Sequence, residues 1–550
     1  MEQNTLTPAE ETTNVFTISD MTTAENVAKP KLKNQNVPYW TSCRLLLALM
    51  VFLGVVNAFI LRTNINFGII CMVRQKNATE YRLTLNDTSS TLSGTTFVEN
   101  ATYNGSRIIA PTCGKLDVVS ARTYKGEFDW DTNIRGVILS SVFYGYACTQ
   151  IIGGWLAGRY GGKHVFGTAM VIAGVTSVVT PIAARTHYSI LIALRVLTGM
   201  TAGVCLPALQ AMWRKWAPPL EKSTLVSFCF SGGYAGIVVA MSLSGVLCGI
   251  DLDNGWPFIF YVYGGLCFIW LCGWYLLVFD SPASHPRISQ AEREYIETAI
   301  GHLDQSEEKV PVPWASFVKS PAVWAIFIMN FTSDWGCYTL VTSLPIFMKE
   351  VLQFDIKQNG LFSAIPYVAL CLGTGACGKA ADHFRQRGLL NTTRTRKLFQ
   401  SIGGFVPAAF MFATAFVDCE TRMLGVVYLI LGVTFSSASV STLAINVADI
   451  APRFAGEIFG ISNTLASFSG IISPNIVAAL TPNGTREEWK WVFFITCAIY
   501  SFGALFFLIF ASGEVQPWGK PDHLHNEDKR ENTDVNQGYD NAHPDVHSTL

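Results

Sequence analysis

The chain has 550 residues, of which half are hydrophobic and only 14% are charged. Soluble domains average about 25% charged residues, so this composition indicates an integral membrane protein. The formal net charge of −1 excludes the basic balance of a nucleic-acid-binding protein and the acidic excess that attracts cationic partners.

The chain begins with a polar segment rich in Thr, Asn and Glu. This segment lacks the short apolar stretch and small-residue cleavage site of a signal peptide. We therefore expect residues 1–43 to be a disordered cytoplasmic tail, and residues 513–550 to be a second one.

Long apolar segments recur along the rest of the chain. A helix that crosses a bilayer needs about 20 mostly apolar residues, and twelve segments meet this need. The predicted spans are residues 45–73, 134–157, 164–184, 188–212, 224–249, 257–279, 321–347, 360–381, 398–417, 423–447, 457–480 and 490–511. The predicted fold class is an all-α membrane protein with twelve transmembrane helices.

The orientation follows from the charges and glycosylation sequons of the loops. An even number of spans places both tails on one side of the membrane. The short loops on that side hold twice as many Lys and Arg as the other short loops. This difference predicts that the side with the tails is cytoplasmic. Five Asn-x-Ser/Thr triplets, four of them in the loop of residues 74–132, fall on the opposite side. They begin at Asn77, Asn86, Asn100, Asn104 and Asn483. The alternative is that they are chance matches in a Thr-rich loop.

A polar segment divides the spans into six and six. Residues 281–320 are predicted to link a bundle at 44–280 to a second at 321–512. Within this linker, "SQAEREYIETAIGHL" is typical of a surface helix, with Ser289 as its N-cap and Glu292 three residues later.

The two halves resemble each other weakly. "GGWLAGRYGGK" after the second span aligns with "CGKAADHFRQRG" after the eighth. Two six-helix halves in the same orientation are the plan of major facilitator transporters, which bind substrate between the halves. In that plan these loops form a cytoplasmic latch. We assign Arg159, Asp382, Arg385 and Asp449 to it and note that Gly158 replaces the usual acid. The alternative is that both loops are ordinary basic turns.

The stretch "LRVLTGMTAGVCLPALQAMWRKWAPPLEKSTLVSF", residues 194–228, carries a more specific resemblance. It is similar to the fourth helix of the anion transporter family that includes sialin, the vesicular glutamate transporters and the sodium-phosphate cotransporters. The likeness extends over nearly all of residues 44–518. It implies a secondary active transporter of small organic or inorganic anions that works by alternating access and is coupled to sodium or protons.

Two arginines lie deep within predicted spans. A charge in hydrocarbon costs at least ~2.5 kcal/mol and usually marks a pathway. The resemblance implies that Arg62 and Arg195 line the central cavity, where their guanidiniums would hold the anionic substrate. A guanidinium suits this role because it keeps its charge and binds a carboxylate or phosphate through a planar fork of donors. The alternative for each is a structural pair with a neighbouring polar group.

Cation coupling is where the chain departs from its relatives. Several proton-coupled members carry glutamates in the fourth helix, at the positions of Thr198 and Ala202 here. Asp334, within the seventh span, is therefore our candidate for the coupling group. The alternative is a permanent ion pair between Asp334 and Arg62.

Tyr144 and Asn446 are weaker candidates for substrate contact. Tyr144 could instead be a packing aromatic. The fourteen cysteines show no metal or disulfide spacing and are interpreted as small buried hydrophobes.

The remaining expectations concern the whole molecule. We expect no cofactor beyond a co-transported Na⁺ or H⁺, no metal, no nucleic acid partner, and a monomer in the lipid bilayer. The plasma membrane is favoured over a lysosomal or synaptic-type vesicle. A sodium-dependent phosphate cotransporter and a non-transporting sensor on the same scaffold are the alternatives, whereas no enzyme motif supports a catalytic function.

Overall fold

A computed structural model describes residues 42–74, 101–103, 106–108, 126–304 and 311–519. The two predicted tails lie almost wholly outside this part of the chain. The sequons at Asn77, Asn86, Asn100 and Asn104 also lie outside it. Asn483 is described and exposed, and its side chain donates a hydrogen bond to Glu488 Oε1 at 2.7 Å.

Within the described residues, twelve long helices form the body of the protein. We name them in chain order: α1 Cys43–Met72, α2 Thr132–Tyr160, α3 Gly162–Thr186, α4 Tyr188–Trp216, α5 Pro219–Leu247, α6 Trp256–Leu277, α7 Pro321–Glu350, α8 Ile356–Gln386, α9 Thr392–Thr414, α10 Arg422–Ile450, α11 Ala455–Leu480 and α12 Arg486–Phe510. Each overlaps one predicted span. The shorter elements are β1 Ala101–Tyr103, β2 Ser106–Ile108, the linker helices Gln290–Asp304 and Trp314–Lys319, and 3-10 turns at Leu252–Asn254, Pro282–Ser284, Pro452–Phe454 and Pro517–Gly519.

Not all twelve helices are equally apolar. In the described part of the chain, nine have the length and hydropathy needed to cross a membrane. The other three, α7, α9 and α11, pack directly against these: α7 contacts α12, α9 contacts α10 and α12, and α11 contacts α2. Their more polar composition is therefore accommodated inside the same bundle.

Glycines allow α2 and α4 to approach at backbone distance. A Cβ atom added to Gly199 would lie 1.8 Å from the carbonyl oxygen of Val142, and one added to Gly145 would lie 2.0 Å from that of Val196. Small residues at helix crossings are typical of membrane bundles. The glycine-rich sequence of the fourth span therefore builds the N-terminal half.

The two halves meet at one end of the bundle. We call the side where α1 begins and α12 ends the tail side, and the opposite side the far side. On the far side, Arg135 of α2 pairs with Glu350 of α7 at 3.3 Å. Lys349 Nζ donates to the carbonyl of Ile70 at 2.9 Å, and Thr132 Oγ1 donates to that of Pro482 at 3.3 Å.

The tail-side ends are more open. Contacts between α2 and α11 reach as far as Gln150, which accepts a hydrogen bond from Asn463 at 2.8 Å. Beyond this level, Cβ atoms added at Gly158 of α2 or at Gly456 and Gly460 of α11 would meet no described atom within 4 Å. The halves are therefore joined at the far side and parted at the tail side.

The prediction for the cysteines is wrong for three of them. Cys71 and Cys248 form a disulfide between the far-side ends of α1 and α5. Cys419, between α9 and α10, is also disulfide-bonded. No spacing signal identifies the first pair because its members are 177 residues apart in the sequence.

The linker helix is anchored to the tail side. Ser289 caps it as predicted, accepting a hydrogen bond from Glu292 N at 3.2 Å. The Glu292 carboxylate does not complete a capping box; its two oxygens accept hydrogen bonds from Cys43 N and Arg44 N, each at 3.1 Å. The linker thereby supplies a negative charge at the N-terminus of α1, where the helix dipole favours one.

Candidate functional site

Arg62 lies on α1 inside a group of aromatic rings. Its guanidinium carbon is 4.5 Å from the ring centre of Tyr146, 4.9 Å from Phe143, 5.3 Å from Tyr338 and 5.8 Å from Phe59. The side chain is 8% exposed, and its Nη2 is buried with no hydrogen-bond partner in the part of the chain that the structure describes. The rings stabilise the cation through their faces, and the unused donor remains available to an anion.

These rings come from both halves of the bundle. Phe143 and Tyr146 lie three residues apart on α2 and therefore share one helix face. Tyr338 belongs to α7, and its ring packs edge-on against Phe143 at 4.6 Å. Arg62 consequently lies at the boundary between the halves, where alternating access would expose a ligand to each side in turn.

Asp334 lies on α7, one helical turn before Tyr338. It is half-buried and interacts electrostatically with Arg62 and with the Tyr338 hydroxyl. Among the described residues, however, Asp334 and Arg62 do not form a direct ion pair. The structure brings the coupling candidate into the Arg62 site, and it does not show the permanent pair that was the alternative.

Arg195 is placed differently. Its side chain is fully buried, with Nη1 donating to Asn64 Oδ1 at 2.9 Å and Nη2 donating to Thr180 Oγ1 at 2.8 Å. Its guanidinium also lies over the ring of Phe260 at 5.8 Å. These partners all belong to the N-terminal half, so in this conformation Arg195 joins α1, α3, α4 and α6. This arrangement corresponds to the alternative in which Arg195 pairs structurally with neighbouring polar groups, and in this conformation Arg195 does not face the Arg62 site.

Neither of the two weaker substrate candidates lies against Arg62. Tyr144 is 44% exposed, and it is Tyr146, two residues later, whose ring covers the guanidinium. Asn446 is buried at the tail side, where its Nδ2 donates to the carbonyl of Ser512 at 2.9 Å. Asn446 thus attaches the chain after α12 to α10. The assignment of these two residues to substrate binding therefore stays a prediction, and in this conformation neither of them contacts Arg62.

The latch residues on the tail side do not act as one group. Arg159 is exposed and lies over Trp155 and Tyr160 at 5.7 and 5.9 Å. Asp382 and Arg385 are exposed and line an open surface pocket of about 590 Å³. In this conformation the described contacts of these three residues do not join the halves.

Asp449, in contrast, does form a helix-end ion pair. Its carboxylate lies 2.7 Å from Nε of Arg396, which is fully buried, and the pair joins α9 to α10. In the first half Asp280, after α6, pairs with Lys215 and accepts a hydrogen bond from Lys163 N at 3.3 Å. An acid is therefore present beside the loop in which Gly158 replaces the usual one. Sequence reasoning missed both Arg396 and Asp280.

Comparison with known proteins decides the family. Residues 106–474 match the family model of the Major Facilitator Superfamily. Human sialin is 38% identical over 486 residues, covering 88% of this chain and 92% of sialin. Bovine vesicular glutamate transporter 2 is 39% identical over 429 residues, covering 76% and 73%. The chain belongs to the family of sialin and the vesicular glutamate transporters. It is a transporter, and the resemblance stated from the sequence is confirmed.

Solved structures of other major facilitator proteins share this fold. A bacterial homolog of the human lysosomal transporter Spinster, in an inward-facing conformation, matches with a TM-score of 0.61 at 13% identity, covering 87% of this chain and 99% of the homolog. The xylose transporter XylE of E. coli, in an inward-open conformation, matches with a TM-score of 0.58 at 13% identity, covering 85% and 96%. The predicted architecture of two six-helix bundles is confirmed.

The Arg62 site also shows where this member departs from its family. Ala202, at a position where the resemblance implies a glutamate in proton-coupled relatives, lines a crevice beside Arg62 and Tyr146 that has room for about one water, near 20 Å³. Thr198, at the other glutamate position, donates to the carbonyl of Leu194 at 2.8 Å. Asp334 of α7 supplies a carboxylate to the same site from the opposite half.

Proposed function

We propose that this protein is a secondary active transporter that carries small anions by alternating access, with the Arg62 guanidinium binding the anionic group. The observation that carries the proposal is the buried Nη2 of Arg62, which has no hydrogen-bond partner among the described residues and lies between rings of α2 and α7. A buried cation with an unused donor is costly unless a ligand completes it. Both organic anions and inorganic phosphate have oxygens that suit this donor.

We propose that the conformation is inward-facing, with the tail side in the cytoplasm. Two observations support this orientation: the basic loops of the tail side and the disulfide of Cys71 and Cys248 on the far side. Disulfides persist in oxidising compartments. The far-side contact between Arg135 and Glu350 is then a closed outer gate, which must separate when the transporter opens outward.

We propose that Asp334 handles the cation of the transport cycle. Moving an anion alone through the low-dielectric interior of the membrane is costly because its charge is not balanced. A co-transported Na⁺ or H⁺ bound at a nearby carboxylate balances that charge. Asp334 supports this role because it interacts with Arg62 yet forms no direct ion pair with it among the described residues. Asp334→Asn should abolish the dependence of uptake on the cation gradient while the protein still reaches the membrane.

We propose that the transporter lies in the plasma membrane. Its relatives include proteins named for vesicles, and the N-terminal tail carries no acidic dileucine signal. A fluorescent fusion that accumulates in lysosomes or synaptic-type vesicles would contradict this location.

Reconstitution tests the proposed function. Purified protein in proteoliposomes is supplied with radiolabelled glutamate, sialic acid, urate or phosphate, and sodium and pH gradients are imposed separately. We expect uptake of at least one anion above that of protein-free liposomes, driven by one of the two gradients. Uptake of phosphate alone, driven by sodium, would select the phosphate cotransporter. Absence of flux with every anion under both gradients would favour the sensor.

A further inference from the structure

The site holds two opposite charges that do not form a direct ion pair within the described residues. Arg62 projects from α1 of the N-terminal half and Asp334 from α7 of the C-terminal half. They interact electrostatically, and the ring of Tyr338, 5.3 Å from the guanidinium, interacts with both. Within the described residues the two charges nevertheless remain beyond ion-pair distance of each other.

Two other buried arginines of this chain pair directly with an acid, whereas fully buried Arg195 is held by the neutral groups of Asn64 and Thr180. Arg396, which is fully buried, contacts Asp449 at 2.7 Å, and Arg44, which is 3% exposed, contacts Glu221 at 3.1 Å. Removing charges from water costs several kcal/mol per ion, and direct pairing offsets that cost. Among these buried arginines, Arg62 differs because an acid, Asp334, interacts with it without pairing directly.

A ligand with a charge at each end would satisfy both groups. A hydrogen bond to a charged group adds roughly 2.8 Å at each end of a ligand, so a small molecule can bridge charges that do not reach each other directly. The aromatic faces around the site also attract a cationic nitrogen. A second negative charge on the ligand would be repelled by Asp334.

We infer that the substrate of this site is a zwitterion that carries a carboxylate and an ammonium group, as small amino acids do. Its carboxylate binds Arg62 of the N-terminal half and its ammonium binds Asp334 of the C-terminal half. This inference rests on the proposed function, and it names the class of carboxylate-bearing substrate that the transporter prefers. Because the two charges lie on different halves, one ligand contacts both halves at once.

Whether uptake needs a coupled cation should depend on whether the substrate carries an ammonium group. A zwitterion brings its own ammonium to Asp334, whereas an anion without one leaves that carboxylate to Na⁺ or H⁺. Uptake of a zwitterion should therefore depend on imposed cation gradients less than uptake of the matching anion does.

Pairs of substrates that differ only in the ammonium group provide the test. Proteoliposomes containing the full chain are given radiolabelled alanine or propionate, and 4-aminobutyrate or butyrate. The wild-type protein should take up at least one amino acid about tenfold faster than its deaminated partner, which corresponds to ~1.4 kcal/mol. Asp334→Asn should reduce that preference to below about threefold, whereas Asp334→Glu should retain it.

The controls separate this inference from the proposed function. Glu420→Gln, which removes an exposed far-side carboxylate, should leave the preference unchanged. If deaminated acids move as fast as the amino acids or faster, the zwitterion inference is wrong although the transporter proposal stands. If none of these four compounds moves but glutamate, sialic acid, urate or phosphate does, the zwitterion inference is likewise wrong. If nothing in either panel moves, the transporter proposal itself fails. The wild-type comparison needs no variant, so misfolding of Asp334→Asn would leave the test decisive.

Discussion

The far-side ion pair between Arg135 and Glu350 should set the balance between inward- and outward-facing states. We consider the substitution Glu350→Gln. It removes the charge that pairs with Arg135 at 3.3 Å. In the wild type, Trp489 Nε1 donates a hydrogen bond of 3.2 Å to the Glu350 carboxylate, and the amide oxygen of the glutamine can still accept this bond. The perturbation is therefore confined to the electrostatic contact between the halves.

The expected magnitude follows from the burial of the pair. The two side chains are 21% and 19% exposed. Breaking a fully buried pair costs about 3–5 kcal/mol, and an exposed pair contributes about 0.2–1 kcal/mol. A pair that is four-fifths buried lies between these limits, and we expect a loss of about 1.5 kcal/mol from the inward-facing state. Since ~1.4 kcal/mol is tenfold in an equilibrium constant, the outward-facing population should rise about tenfold.

Distances between spin labels across the far side would measure this shift. Labels at Leu252 in the N-terminal half and Glu420 in the C-terminal half are both exposed at that side. After the free cysteines are replaced, pulsed dipolar spectroscopy in lipid nanodiscs should give one short distance for the wild type. Glu350→Gln should add a longer one.

The matched control is Glu487→Gln, which breaks an exposed ion pair with Lys490 inside α12. It should leave the distance distribution unchanged. If Glu350→Gln also leaves the distribution unchanged, or shortens the mean distance, the far-side pair does not act as a gate.

Three further predictions concern stability and the site. Replacing Cys71 and Cys248 by serine together should lower the melting temperature, since removal of a native disulfide costs about 2–5 kcal/mol. Gly199→Ala should abolish folded, membrane-inserted protein because its Cβ would lie 1.8 Å from a carbonyl oxygen of α2, whereas Gly158→Ala should be tolerated because nothing lies within 4 Å. Tyr146→Ala should weaken anion uptake by about tenfold through loss of a ring 4.5 Å from the guanidinium carbon of Arg62.

Each of these predictions has its own contrary result. Reducing agent should lower the melting temperature of the wild type more than that of the double serine variant, which keeps only the disulfide of Cys419 among the described residues. Normal yield of Gly199→Ala, measured by size-exclusion chromatography in detergent, would contradict the close crossing of α2 and α4. Tyr144→Ala serves as the control for Tyr146→Ala, and equal effects of the two on uptake would contradict the placement of Tyr146 at the site.

The sequence predicts the fold well because a bilayer constrains it strongly. Each span must bury about 20 apolar residues, so length and hydropathy locate nine helices of the described part of the chain without knowledge of their contacts. The predicted spans also overlap the other three, α7, α9 and α11. The capping of the linker helix by Ser289 is likewise a local property and is confirmed. The disulfide of Cys71 and Cys248 was missed because it depends on a crossing of α1 and α5 that no local pattern reports.

The site was predicted only in part because depth along a helix is easier to infer than rotation about it. Arg62 was found because a charge in an apolar run is conspicuous. Arg195 lies in the same bundle, but its rotation directs it toward Asn64 and Thr180. Tyr144 and Tyr146 differ by about 200° around α2, and only the neighbouring helices show which of them faces Arg62.

Uptake by a single matched pair of variants tests the central claim most directly. Wild type, Arg62→Gln and Arg287→Gln are reconstituted in proteoliposomes and supplied with the anion that the wild type transports best. Arg287 is exposed on the linker and serves as the control. The account predicts that Arg62→Gln loses at least about tenfold in uptake while Arg287→Gln matches the wild type. Uptake by a correctly inserted Arg62→Gln protein at the wild-type rate would contradict it.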